Sequence, residues 1–227
     1  MDIRIYHSGS TGNLYRIGNL LLEAGVSIRE IKKALDFRLS EIVGCLATHG
    51  HLDHSRGAAD LMTAGVDLYC SEGMANALGL HGHRLHILQD RKQITIGEWK
   101  VVPFVVPHDA EEPMGFLISK GSDKILFATD LSYIPYRFKG LTTIMLSISY
   151  DTEILKENIA RGDLHVDVGR RVLLNHLSLK TGKEFFKATD TSRVEAIYLL
   201  HLSDTNSNAE MFKREIEKIV GKPVYVA

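Results

Sequence analysis

The sequence is short of the residues that mark several classes of protein. It has two cysteines in 227 residues. Cys45 and Cys70 both stand inside apolar runs, so we expect small buried side chains rather than a disulfide or a metal-binding pair. No apolar run reaches the roughly 20 residues that a membrane helix needs, so no membrane partner is expected. The first six residues lack the basic and then apolar pattern of a signal peptide, and the expected location is the cytoplasm.

The chain also lacks an excess of either charge. It has 27 Lys and Arg against 28 Asp and Glu, a net charge of −1. This balance argues against a surface coated in positive charge for bulk nucleic-acid binding, although a local basic groove is compatible with it. Apolar residues make up 44% and charged residues 24% of the chain, which is ordinary for a globular protein.

What the chain does have is a dense group of metal-ligand residues. His49, His51, Asp53 and His54 fall within six positions, just after the apolar run 42–47, which reads as a buried strand. Alternate residues of an extended loop point the same way, so His49 and His51 are placed to reach one ion. Asp53 and His54 lie beyond the bend and are placed to face a second ion. Imidazole and carboxylate suit a divalent metal, with Zn²⁺ as the default and Mn²⁺ as the alternative.

Three further candidates each follow a strand-like run: His108, Asp130 and His201. Apolar periodicity predicts a mixed α and β chain, and Ser27 with Glu30 forms a capping box that opens a helix. Strands are expected at 2–6, 14–17, 20–23, 42–47, 67–70, 94–96, 99–106, 115–119, 124–128, 141–148, 194–200 and 224–226, and helices at 28–35, 57–64, 72–78, 151–159, 178–188 and 206–220.

The order H-x-H-x-D-H, followed closely by Gly57, resembles the signature of the metallo-β-lactamase superfamily. The resemblance implies an α/β fold, a four-layer αβ/βα sandwich, in a single hydrolase domain over residues 1–227. It also implies a two-metal site with His108, Asp130 and His201 as the later ligands. The implied assignment puts His49, His51 and His108 on one ion and Asp53, His54 and His201 on the other, with Asp130 bridging the two.

Several segments resemble one branch of the superfamily, the WalJ-type phosphodiesterase-like and exonuclease-like proteins. They are Ser8 to Asn13, Leu22-Glu23-Ala24-Gly25, His108-Asp109-Ala110, Pro113 to Phe116, Asn175-His176-Leu177-Ser178, and His201-Leu202-Ser203 with Asn206 and Asn208. Ser147 and Ser149 depart from the branch pattern, as does Asn175 where the branch has Gly. These departures leave the substrate open even where the metal chemistry is shared.

The resemblance implies a dinuclear metal-dependent hydrolase, a phosphodiesterase acting on single-stranded nucleic acid in the manner of an exonuclease. Asp53 and His176 are the catalytic candidates, His176 as a contact to phosphate or a proton donor to the leaving oxygen. The alternative for His176 is a hydrogen-bonded structural residue at a helix start. Basic residues near it in sequence either line the approach of a strand or form an ordinary solvated face: Arg161, Arg170, Arg171, Lys180, Lys183 and Lys187.

Other interpretations stay open. A small-molecule phosphodiesterase that opens cyclic nucleotides fits the near-neutral charge, and a binding module that kept only the fold is a third hypothesis. A homodimer is compatible with the sequence. His81, His83 and His86 read as an exposed loop, with substrate contact favoured over a third metal site. The turn from Ser8 to Asn13 either serves only to connect two strands of a hairpin or borders the metal cleft with its backbone amides.

Overall fold

The computed structural model describes residues 2–227 and is mixed α and β, with two sheets. The chain divides into two compact units. The first runs up to Val105 and adds Ala110–Lys120, and the second consists of Val106–Asp109 and Gly121–Ala227. That residues 1–227 act as one hydrolase domain stays a prediction.

The first unit contains one complete six-stranded sheet in the order β1 to β6. Strands β1, β2 and β3 pair antiparallel, and β3 to β6 pair parallel. A second, antiparallel ladder joins β7, β8 and β9. The strands are β1 (Ile3–His7), β2 (Leu14–Ile17), β3 (Leu20–Leu22), β4 (Gly44–Leu46), β5 (Leu68–Ser71), β6 (Leu85–Leu88), β7 (Ile94–Ile96), β8 (Trp99–Val105) and β9 (Met114–Lys120).

Among the described residues the first unit has a short 3-10 helix at Leu39–Glu41 and four α-helices: α1 (Ile28–Ala34), α2 (Leu52–Ser55), α3 (Ala58–Thr63) and α4 (Glu72–Ala77). The predicted capping box is present at the start of α1, where Ser27 and Glu30 exchange side-chain and backbone hydrogen bonds. Ile31 on α1 and Leu61 on α3 are fully buried against the strands in one apolar core. Burying such a side chain contributes about 1.5–3 kcal/mol, which is why these short helices hold to the sheet. Cys45 and Cys70 are buried free thiols in the same core, as predicted.

The second unit contains a parallel ladder of four strands, β10 (Asp123–Ala128), β11 (Thr143–Ser147), β12 (Ala196–Leu200) and β13 (Val224–Val226). All five residues of β11 are buried, the pattern of an inner strand of a parallel sheet. Four helices complete the unit: α5 (Thr152–Arg161), α6 (Val166–Asn175), α7 (Leu179–Ala188) and α8 (Ala209–Val220). On α8, Phe212, Ile216 and Val220 are buried at helical spacing.

The predicted elements are largely confirmed, with boundaries within a few residues, and three differ. The structure adds α2, because the metal-ligand segment turns into a short helix at Leu52. It adds α6, in a stretch read only as basic. It also places His86 in β6, so the supposed loop covers only His81 and His83. No helix among residues 2–227 is long and apolar enough to cross a membrane.

Candidate metal centre

Strand direction explains why ligand-type residues gather at loop positions. In the first unit β3 and β4 are parallel neighbours, so the residues that follow them leave from the same edge. Glu23 follows β3, and Thr48 and His49 follow β4. In the second unit β10 and β12 also lie in one parallel ladder. Asp130 comes two residues after β10 and His201 directly after β12.

The first-unit cluster consists of His49, His51, Asp53 and His54. The Nε2 atom of His49 lies 3.1 Å from Nδ1 of His51, and the two rings meet edge to face. Two imidazole nitrogens bound to one tetrahedral zinc at ~2.0–2.1 Å would lie about 3.3 Å apart. The spacing of this pair therefore fits two ligands of one ion.

A chain of hydrogen bonds fixes which nitrogen of His49 faces outwards. The hydroxyl of Thr48 donates its only hydrogen to Glu23 Oε1 at 2.6 Å, and Thr48 Oγ1 also lies 2.9 Å from Nδ1 of His49. With its hydrogen already donated, the Thr48 oxygen accepts from His49, so Nδ1 carries the proton. Nε2 is then the nitrogen whose lone pair is directed towards His51.

Glu23 also lies beside a second histidine, His54. Its Oε1 atom lies 3.4 Å from Nδ1 of His54, and neither side chain has any exposure to solvent. The opposite ring nitrogen, Nε2, lies 3.3 Å from Oδ2 of Asp53, again a separation that suits two ligands of one ion. A carboxylate behind a ligating histidine fixes the tautomer and raises the basicity of the ring. Glu23 thus supports both His49 and His54.

The turn from Ser8 to Asn13 supports the same segment. The backbone N–H of Asn13 donates to the carbonyl of Asp53 at 2.8 Å, and its side-chain amide donates to that carbonyl at 3.1 Å. The amide nitrogen also lies 3.1 Å from Nε2 of His54. The backbone of Asp53 approaches Gly25 so closely that only glycine fits there. A Cβ at position 25 would stand 1.7 Å from the Asp53 carbonyl oxygen.

The second-unit cluster consists of His108, Asp130, His176 and His201. The carboxylate of Asp130 is central, with Oδ2 at 3.9 Å from Nε2 of His108 and Oδ1 at 3.6 Å from Nδ1 of His201. Its two oxygens therefore face two different histidines, an arrangement that suits the predicted role of a ligand shared by two ions. Asp130 and His201 both have left-handed backbone conformations, with φ of 46° and 50°. Strain of this kind in non-glycine residues is typical of functional sites.

Hydrogen bonding also fixes the tautomer of His108. Its Nδ1 donates to the carbonyl oxygen of Asn175 at 3.1 Å, so Nε2 is left to face Asp130 and Asp109. Burial lowers the pKa of His108, against the opposing charge of Asp130. Burial likewise lowers the pKa of His176. Neutral imidazole is the form that binds metals, so the shift at His108 favours ligation at neutral pH.

His176 also lies beside the ligand-type residues, but its ring is not held by a hydrogen bond at Nδ1 as that of His108 is. Its Nδ1 atom is 3.7 Å from Asp130 Oδ1, and its ring stacks on that of His201 with centroids 6.3 Å apart. That nitrogen is buried and has no hydrogen-bond partner among residues 2–227. His176 ends α6 and precedes Ser178, which caps α7. The structure thus places His176 at the second-unit cluster, beside Asp130 and His201.

The remaining predicted residues are placed as follows. Arg171 donates to Asp109 at 2.7 Å and so ties α6 to the loop that carries His108. His86 stacks on Tyr69, and within residues 2–227 His81, His83 and His86 belong to no group of side chains at metal-ligand spacing. Sequence reasoning noted Glu23 only as part of a motif and overlooked Thr48. The sequence feature that could have indicated Glu23 is its position as an acidic residue directly after the apolar strand Leu20–Leu22.

The fold and the two clusters define a class of protein. Residues 18–202 match the model of the β-lactamase superfamily domain, and the chain belongs to that family. It is a metal-dependent hydrolase of the metallo-β-lactamase fold, as the motif predicted.

Individual proteins that resemble this chain indicate a branch of the superfamily. The chain is 28% identical to the exodeoxyribonuclease YycJ of Bacillus anthracis, over 97% of this chain and 89% of that protein, which supports the predicted WalJ-like branch. Two solved structures share the fold. YhfI of Bacillus subtilis, described as a metallo-β-lactamase fold protein, has a TM-score of 0.74 at 13% identity, covering 99% of this chain and 95% of its own. Zn²⁺-bound PqqB of Methylobacterium extorquens has a TM-score of 0.72 at 14% identity, covering 99% and 97%.

Proposed function

We propose that this hydrolase is a phosphodiesterase that degrades single-stranded nucleic acid from an end. The observation that carries the proposal is the carboxylate of Asp130, whose two oxygens face His108 on one side and His201 on the other. A shared carboxylate of this kind belongs to a two-ion site, and two-ion sites suit phosphoryl transfer. The choice of nucleic acid rests on the similarity to a protein named as an exodeoxyribonuclease.

The ligand sets follow the predicted assignment. His49, His51 and His108 would hold one ion, and Asp53, His54 and His201 the other, with Asp130 between them. Zn²⁺ is the default for such nitrogen and oxygen donors and Mn²⁺ the alternative. Two bound ions would supply a hydroxide near neutral pH and neutralise charge on the phosphoryl oxygens.

The residues of the chain have their own tasks in this proposal. Glu23 and Thr48 hold two imidazoles in the ligating tautomer. His176 stands beside Asp130, with its Nδ1 at 3.7 Å from Asp130 Oδ1, and is the candidate to contact phosphate or to donate a proton to the leaving oxygen. No cysteine acts as nucleophile, since burial raises the pKa of the Cys70 thiol to about 12 and that of Cys45 well above its usual range.

A second candidate is a small-molecule phosphodiesterase. Two of the cations expected to line a groove have acidic partners instead, since Arg161 lies 3.0 Å from Asp163 and Lys183 lies 2.6 Å from Glu215. Arg171 is likewise paired with Asp109. Fewer available cations favour a compact diester such as a cyclic nucleotide, whose single phosphate needs no extended groove.

A substrate panel distinguishes the two functions. Untagged protein loaded with Zn²⁺ or Mn²⁺ is offered end-labelled single-stranded DNA, duplex DNA, RNA, cyclic nucleotides and bis(p-nitrophenyl) phosphate. The proposal expects stepwise shortening of single strands, abolished by Asp130→Ala. Rapid opening of a cyclic nucleotide without strand degradation would establish the second candidate. Hydrolysis of none of these diesters would contradict both.

A further inference from the structure

The connection between β10 and β11 carries a feature that the metal centre does not explain. These strands are parallel neighbours, and such pairs are usually joined by a helix. Here the chain crosses without any regular element from Leu131 to Gly140. The crossover starts directly after Asp130, at the second-unit cluster.

Exposure alternates strictly along the crossover, which is the pattern of an extended segment. Ile134, Tyr136 and Phe138 are half-buried. This inward row packs on the unit, with the rings of Tyr136 and Phe138 6.4 Å apart. Packing explains why the inward positions carry large apolar side chains. It does not explain which side chains occupy the outward positions.

The outward row consists of Tyr133, Pro135, Arg137 and Lys139, all exposed. Tyr133 as a whole is 53% exposed. Within residues 2–227, the side chains of Tyr133, Arg137 and Lys139 form no hydrogen bond, ion pair or ring contact. A large aromatic side chain and two cations are thus presented to solvent in one line, with no acidic side chain between them.

The start of this row is fixed close to the candidate metal centre. The backbone N–H of Ser132 donates to the carbonyl of Pro107 at 3.0 Å, next to His108. Tyr133 is three residues from Asp130, so their Cα atoms are at most about 11 Å apart. Alternate residues of an extended chain are about 6.6 Å apart. In an extended segment Arg137 and Lys139 lie farther from Asp130 than Tyr133 does.

We infer that the outward row of residues 133–139 is a binding strip for single-stranded nucleic acid. Tyr133 stacks on the base of the nucleotide next to the scissile phosphate, and Arg137 and Lys139 contact phosphates farther along the strand. Aromatic stacking and cations that track the backbone are the two means by which proteins hold single strands without reading sequence. The inference rests on the proposed function and names the part of the chain that takes the strand.

Binding measurements test the strip without relying on turnover. Each variant is made in the full chain carrying Asp130→Asn, so that the strand is not consumed, and fluorescence anisotropy gives the affinity for a labelled oligothymidine. Tyr133→Ala should weaken binding by about 5- to 150-fold, while Tyr133→Phe, which keeps the ring, should bind as the parent does. An oligonucleotide with an abasic residue at its bound end should bind the parent and Tyr133→Ala equally. Trying each end in turn identifies the bound one.

Salt dependence tests the two cations. Arg137→Ala with Lys139→Ala should reduce the slope of log affinity against log salt by up to ~1.4, since each single-strand phosphate that is no longer neutralised accounts for ~0.7. The matched control is Arg29→Ala with Lys33→Ala on α1, which removes the same charge from exposed positions and should leave the slope unchanged. Equal slopes for the two double variants, or equal affinity of Tyr133→Ala and the parent for the intact strand, would overturn the inference.

The substrate panel keeps the two proposals separable. Wild-type protein that degrades strands while Tyr133→Ala binds them normally contradicts the strip alone. Protein that binds strands through Tyr133 yet cleaves no diester contradicts the proposed function alone.

Discussion

The Oε1 atom of Glu23 lies 3.4 Å from Nδ1 of His54, with both side chains completely buried. The same carboxylate accepts the hydroxyl hydrogen of Thr48, whose oxygen in turn contacts His49. One buried carboxylate thus lies beside His54 and is linked to His49 through Thr48, although Glu23 is not itself a predicted metal ligand. A buried carboxylate with these partners is costly to disturb.

We predict that Glu23→Gln weakens metal binding by about 10- to 100-fold, because partners that orient ligating histidines have effects of that size. Chelator competition on the loaded protein measures it. Glu30→Gln, which alters an exposed carboxylate of the α1 capping box, should leave metal affinity unchanged. Equal losses in the two variants would show that Glu23 has no special role.

The hydroxyl of Thr48 gives a sharper test of the tautomer argument. Thr48→Val keeps the shape of the side chain and removes the group between Glu23 and His49, so metal affinity should fall. Thr48→Ser keeps the hydroxyl and should retain the affinity. If Val and Ser behave alike in chelator competition, the hydrogen-bond chain does not control His49.

Gly25→Ala should destabilise the protein by several kcal/mol, because the new Cβ would stand 1.7 Å from the carbonyl oxygen of Asp53 and overpacking at buried sites alone costs ~1–3 kcal/mol. Urea unfolding measures the free-energy change. Gly50→Ala is the control in the same ligand segment, since its nearest neighbour, Leu78, would be at an ordinary 3.7 Å. A Gly25→Ala protein as stable as Gly50→Ala would show that the contact relaxes at little cost.

His176→Ala should keep the metal ions and slow turnover by ~10²-fold, the low end for loss of a general acid. Metal analysis and steady-state kinetics on one preparation measure both. If the variant loses metal, His176 is a ligand. If it unfolds, His176 is the structural residue that the sequence also allowed.

Glu215 provides a test of the charges on α7 and α8. Hydrogen bonds from Lys183 and then Lys218 lower its pKa from 4.5 to about 2. A carboxyl whose folded pKa is lowered adds stability above its unfolded pKa, and this is lost as pH falls towards the folded value. Glu215→Gln should therefore be less stable than wild type above about pH 4.5, and the difference should shrink towards pH 2. A difference that does not depend on pH in thermal unfolding would contradict this role.

Local patterns predicted most of the fold because they depend on neighbours in sequence. The strand Leu14–Ile17 and the capping box at Ser27 were read from a few residues each. Helix α6 was missed because its apolar residues show no buried stripe: Val166, Leu173 and Leu174 are exposed. The only buried residue of α6 is Gly169. A Cβ at this position would lie 2.5 Å from the side chain of Ile159.

The ligand-type residues were predictable because their order is a motif, whereas their supports come from distant positions. Glu23 and Thr48 are 25 residues apart, and His108 and Asn175 are 67 apart. Only the parallel pairing of β3 with β4 and the placement of α6 bring these pairs together. No pattern in one sequence indicates such pairing by itself.

The central claim is that the protein binds two metal ions and that Asp130 is a ligand of both. Metal content of untagged protein, measured by mass spectrometry after reconstitution with Zn²⁺ or Mn²⁺ and removal of excess metal, tests it most directly. The account predicts close to two ions per chain for wild type and a clear loss for Asp130→Ala, because that change removes a ligand of both ions. Fewer than one ion per wild-type chain, or an unchanged content in Asp130→Ala, would contradict it.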